Sequence, residues 1–247
     1  MKYKIYNFNK RLDIHPSWND FFIPLFKQGI MEKIFIDLNK KGFNPKLEEI
    51  FLPFSMDLQL VNCILICNEP FKESSNYSSY PFALDDDSKI PLCNHIIVDE
   101  LYRSVTHSID IDDRFDHSFK LWRDQGIMMI HSSLTTGTDD SKYLKQIHKS
   151  HNHIWSDFMQ NFVYYIDYYN DKFIGLLGKN AQQYKSFFIN NLSTVKKYPC
   201  PDNKLSIENN LFNNCGIFTD IDNYFKNKNI NLKWVKDRIG TEIVEIN

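Results

Sequence analysis

Four short apolar runs recur along the chain, separated by segments whose apolar residues return every third or fourth position. That alternation constrains the fold most. Val61 to Cys67 (VNCILIC), Ile127 to Ile130 (IMMI), Phe173 to Leu177 (FIGLL) and Ser193 to Lys197 (STVKK) read as strands that end in polar or Gly/Pro-containing turns. Runs this apolar suit strands covered on both faces, as in a parallel sheet. Between them, Ile154, Phe158, Phe162 and Ile166 mark one buried face of a helix from about Ile154 to Tyr169. A second helix is predicted to start with Asn94 as its N-cap and to bury Ile97, Leu101 and Val105. Trp18, Phe21, Leu25, Ile30 and Ile34 read as helical packing that leads into the sheet. The fold class expected is an α/β/α sandwich around a central four-stranded, mainly parallel sheet, as one domain over residues 1–247.

Composition supplies the core and narrows the function classes. Of 247 residues, 15% are aromatic, and 8 Gly and 9 Pro limit how much of the chain can be loop. A formal charge of -2 excludes affinity for nucleic acid through bulk charge, so any DNA contact must use a local patch. The five Cys are isolated and odd in number, which suits reduced thiols and an intracellular protein. No apolar run resembles a signal peptide or is long enough to span a bilayer, so no membrane partner is expected. No cofactor or metal is expected either, because the H-x-x-H-x-H spacing of His148, His151 and His153 fits no standard zinc site. Asp85 to Asp87 and Asp110 to Asp113 lack the order of a calcium loop.

In open parallel sheets ligands bind at the carboxyl ends of the strands. Here those ends carry Cys67-Asn68-Glu69-Pro70-Phe71-Lys72, His131-Ser132-Ser133-Leu134-Thr135 and Tyr198-Pro199-Cys200-Pro201-Asp202.

In this order and at these spacings, the three loops resemble the motifs of the uracil-DNA glycosylases. VNCILICNEPF is similar to that family's first strand and its G-Q-D-P-Y-H loop. Trp122 to Leu134 is similar to W-x-x-x-G-V-L-L-L-N-x-x-L, and Lys149-Ser150-His151 with Trp155 to the downstream S-H…W. Leu176 to Ala181 resembles L-x-W-G-x-x-A, with a Gly178-Lys179 pair closer to the poxviral branch, and Tyr198-Pro199-Cys200-Pro201 falls where the family has H-P-S-P-L-S. The resemblance covers nearly the whole chain, from IHPSWNDFF to the closing Leu211–Trp234 stretch.

The resemblance implies a site in which Glu69 stands for the family's catalytic Asp and Tyr198 for its oxyanion-donating His. Asn68, Phe71, Phe82 and His131 would form the base pocket, His131 replacing an Asn that reads uracil. Ser150, His151, Lys196, Lys197, Pro199 and Cys200 would lie along the DNA backbone, and Asp202 matches the family's Leu wedge. Plainer readings stand beside these: Glu69 as a solvated loop charge, Phe82 as core, His131 as a histidine bonded to backbone. Every principal position is substituted, and losing one preorganised donor costs about 10²–10³ in rate. The expectation is therefore a protein that binds DNA, a replication or repair partner or both, with weak or no uracil excision. The alternative is an active N-glycosylase using Glu69. In the poxviral branch, which Gly178-Lys179 and Ile230 to Trp234 resemble, the glycosylase doubles as part of a polymerase processivity factor, and the Asn/Lys/Ile-rich composition suggests an AT-rich, viral genome.

Overall fold

A computed structural model describes residues 12–40, 42–70, 80–84, 89–107, 110–137, 150–169 and 171–237. Phe71, Lys72 to Ser79, Asp85 to Asp87 and His148 to Lys149 lie outside them.

The strands are β1 (Cys63–Cys67), β2 (Ile127–His131), β3 (Phe173–Leu177) and β4 (Thr194–Tyr198), in the order β2-β1-β3-β4, and every pairing is parallel. The main helices are α1 (Asn19–Lys27), α2 (Ile30–Asn39), α3 (Leu92–Leu101), α4 (Asn152–Tyr168), α5 (Lys204–Glu208) and α6 (Ile217–Asn227). A two-residue ladder, Phe43–Asn44 against Thr136–Gly137, stands apart from the sheet.

Strand periodicity divides the core into two. Ile64, Ile66, Met128, Ile130, Ile174 and Leu176 point to one face, where Trp18, Phe21, Phe22, Phe54, Phe158 and Phe162 pack. Trp18 meets Phe54 edge-on at 5.0 Å between ring centres, as aromatic quadrupoles prefer. Leu65, Met129, Phe173 and Leu177 point to the other face, against Phe119, Trp122, Phe218 and Trp234. The C-terminal segment is strapped there: Trp122 Nε1 donates to the Trp234 carbonyl at 3.0 Å and Lys236 N to Arg114 O at 2.9 Å.

Three sequence expectations need correcting. The first run forms a strand only from Cys63, because the Val61 carbonyl accepts from the buried Lys172 ammonium and not from a neighbouring strand. Asn94 is not an N-cap. The helix begins two residues earlier, behind Pro91, and Asn94 is fully buried with its amide donating to the Phe82 carbonyl at 3.0 Å. Val105 also leaves the α-helix, lying in a π-turn over Tyr102–Thr106. The Ile154 periodicity holds, and the helix that carries it opens at Asn152. No helix among the described residues is long and apolar enough to cross a membrane.

Candidate active site at the strand carboxyl ends

Parallel strands in register deliver their following loops to one rim, and the first loop sits at its centre. Asn68 Nδ2 donates to Asp202 Oδ1 at 3.2 Å, tying the loop after β1 to the loop after β4. On its other side, His131 Nδ1 lies 2.6 Å from the Asn68 carbonyl oxygen. A carbonyl only accepts, so His131 donates, and its Nε2 is left as a bare acceptor in the neutral ring. Burial drives the His131 pKa down to about 4, partly opposed by the bond to Asn68, so the ring is neutral at pH 7. Ser132 N adds a further tie, donating to the Cys67 carbonyl at 2.7 Å.

Gly178 closes the third side. Its backbone, at φ 83° and ψ 169°, occupies a region essentially reserved for glycine. A methyl there would stand 2.7 Å from Asn68 Oδ1 and 2.9 Å from Cys200 Cβ. Gly178→Ala is therefore expected to cost about 2 kcal/mol in unfolding free energy, from strain plus overpacking. Urea denaturation checks this, and a loss under about 0.5 kcal/mol would show that the three loops are not packed as described.

Glu69 follows Asn68 directly, and its Oε2 is enclosed with no hydrogen-bond partner among the described residues. Asp202, which matches the family's Leu wedge in sequence, is half-buried and bonded to Asn68. Burial raises its pKa, against the lowering effect of the Cys200 thiol and the Asn68 amide. The exposed apolar side chain of this loop is Leu205, three residues on, 65% accessible in the first turn of α5.

Tyr198 and Lys196 leave the rim. Strand alternation turns both toward α6, where the Tyr198 hydroxyl donates to Asp220 Oδ2 and the Lys196 ammonium pairs with Asp220 Oδ1, each at 2.6 Å. Burial, then the Asp220 carboxylate, pushes the Tyr198 hydroxyl pKa up, so it stays protonated. No sequence signal marked Asp220. Lys197, on the opposite face of β4, is exposed.

Phe82 sits at φ 65°, held by Asn94, and borders a cavity of about 10 Å³ with Leu65, Met129, Leu177 and Phe218. That volume is about one water molecule's worth. His151 is 2% exposed, with Nδ1 2.9 Å from the Thr135 hydroxyl, which also accepts from Trp155 Nε1 at 2.8 Å. The imidazole thus braces the loop after β2 from within, and Ser150 bridges to Thr136. Pro199 is half-buried and Cys200 buried; Phe71 lies outside the described residues. The five cysteines are free thiols.

Solved structures of similar shape decide what this architecture is. A mimivirus uracil-DNA glycosylase superposes with a TM-score of 0.74 at 17% identity, over 91% of this chain and 88% of its own. The chain has the uracil-DNA glycosylase fold. A mimivirus UNG variant crystallised in complex with UGI gives a TM-score of 0.76 at 17% identity, over 92% and 90%. The Nitratifractor salsuginis UNG gives 0.59 at 12% identity, over 94% and 98%. No protein-family model and no curated protein sequence matches the chain. The glycosylase fold accounts for the parallel sheet and for the gathering of loops at its carboxyl rim.

Proposed function

We propose that this glycosylase-fold protein binds DNA at the carboxyl rim of its sheet and excises uracil weakly or not at all. One observation carries the reading: the donors a glycosylase needs are already spent inside the protein. The His131 N–H is given to Asn68, and the Tyr198 hydroxyl to Asp220. Electrostatic stabilisation of a leaving base requires donors aimed where charge develops, and a donor bonded to a fixed acceptor elsewhere is not so aimed. DNA would approach over Ser150, Pro199 and Lys197, with Leu205 and Lys204 at the adjoining surface; His151 and Cys200 are buried beneath it, and Lys196 is turned aside to Asp220. A role within the cell in replication or repair, in company with a partner protein and for a viral genome, is consistent with the likeness to the mimivirus enzyme.

A second reading is favoured by Glu69 itself. Enclosing a carboxylate oxygen without a partner is costly and is often a mark of catalytic placement. On that reading the protein is an active N-glycosylase for uracil or a modified base, with Glu69 stabilising the sugar cation. Incubation with single- and double-stranded oligonucleotides carrying uracil or modified bases separates the two. Binding without abasic sites is expected. Abasic sites that form with the wild type and vanish with Glu69→Gln would establish the second reading instead.

A further inference from the structure

Among the described residues the sheet ends at β4, whose outer edge pairs with no further strand. In the parallel ladder, Thr194 N donates to Lys172 O at 2.9 Å and Gly178 N to Tyr198 O at 2.9 Å. The register Phe173↔Thr194 through Leu177↔Tyr198 then turns the main-chain groups of Thr194, Lys196 and Tyr198 toward β3. Those of Val195 and Lys197 point the other way. The Val195 carbonyl confirms it by accepting from the Lys185 ammonium at 2.9 Å. The Val195 N–H and both main-chain groups of Lys197 have no partner among the described residues, and β4 has no second strand beside it there.

We propose that this edge takes an extended acidic peptide of a partner protein as a fifth strand. A row of donor, donor and acceptor about 6.7 Å apart from residue to alternate residue is met by another peptide backbone. A phosphodiester backbone only accepts and would leave the Lys197 carbonyl unpaired. Charge makes the choice of an acidic peptide: Lys197 and Lys185 stand along the edge, whereas Lys196 is neutralised by Asp220. Apolar anchors flank its start. Ile189 and Leu192 are 64% and 54% exposed, and the loop that carries them is held by Asp167, which accepts from Ile189 N at 2.8 Å and Asn190 N at 2.9 Å. Edge lysines also guard a strand against self-association. That role alone gives no binding to a peptide.

The test uses the full chain and a fluorescein-labelled peptide of alternating valine and glutamate, with oligothymidylate as the nucleic-acid arm. Binding is read by anisotropy, and amide hydrogen exchange is followed at Val195 and Lys197. The peptide is expected to bind, to slow exchange at both amides, and to lose about tenfold in affinity, or 1.4 kcal/mol, with Lys197→Glu and at least as much with Val195→Pro. Proline removes an N–H that the β3 ladder does not use; should it disturb folding, Lys197→Glu decides alone. Affinity unmoved by Lys197→Glu, no peptide binding, or protection of these amides by oligothymidylate and not by peptide would each overturn the proposal. DNA binding at the rim is scored separately, so its failure leaves this result intact.

Discussion

Replacing Trp155 with alanine is expected to lower the unfolding free energy by about 4 kcal/mol, a large part of what a domain of this size holds in reserve. The indole is fully buried, edge-on to Phe158 at 5.3 Å and to Phe51 at 6.0 Å, so truncation leaves a cavity among rings that have no rotamer with which to fill it. It also withdraws the donor from the Thr135 hydroxyl, which is buried with His151. Trp155→Phe separates the two contributions: it keeps most of the packing and should lose only about 1 kcal/mol more than the shape change itself. Guanidinium denaturation of both variants measures this. A Trp155→Ala loss under about 1.5 kcal/mol would mean that α4 does not anchor the loop after β2.

The architecture was legible because each strand carries its own apolar signature and each loop its own polar one. Phe173–Leu177 could be read to the residue, since a five-residue apolar run between polar segments has one way to enter a sheet buried on both faces. Thr194–Tyr198 was harder, because an edge strand keeps its lysines, and the reading stopped one residue short. Asn94 misled for a different reason. Asparagine ahead of an apolar period is the usual sign of a cap, yet here its amide is taken by the Phe82 carbonyl, a partner twelve residues away that no local pattern contains.

The site was legible only in part, and the cause is the same at each position. Matching motifs finds which residues stand at the strand ends; it does not show which way they turn or where their protons go. Tyr198 falls at the predicted strand end, but Asp220, which takes its hydroxyl, sits on a helix 22 positions on. Asp202 matches the Leu wedge by position, but its partner Asn68 lies 134 residues away in sequence. These side chains are therefore coupled. Asn68 joins Asp202 to His131, and changing one of them alone would strand a polar group in the others' packing. Changing one of them alone to the residue of the glycosylase motif is not expected to change the yield of abasic sites in the oligonucleotide assay.

Acid should expose the cost of burying His131. Its pKa falls from 6.5 to about 4 on folding, chiefly because burial penalises the charged ring. Between those values the unfolded chain binds a proton that the folded chain refuses, so stability contributed by the neutral ring is complete above about pH 6.5 and is lost progressively toward pH 4. A difference of 2.5 between the two values corresponds to about 3 kcal/mol. Asp202, two hydrogen bonds away through Asn68, works in the opposite sense. Its pKa is raised, so the penalty of its buried charge is relieved as acid is added. Asp116, whose pKa is lowered despite its burial, titrates beneath its ordinary value of 3.8, below most of this window. His131→Asn keeps a donor for the Asn68 carbonyl and removes the titration. Urea midpoints taken from pH 7.5 to pH 4.5 should therefore fall steeply for the wild type and much less for this variant, while Asp202→Asn should steepen the wild-type fall. Parallel slopes for wild type and His131→Asn would mean that the folded ring takes up its proton as readily as the unfolded one. In that case Nε2 would carry a proton below about pH 6.5, and burial would not be what sets the charge of this ring.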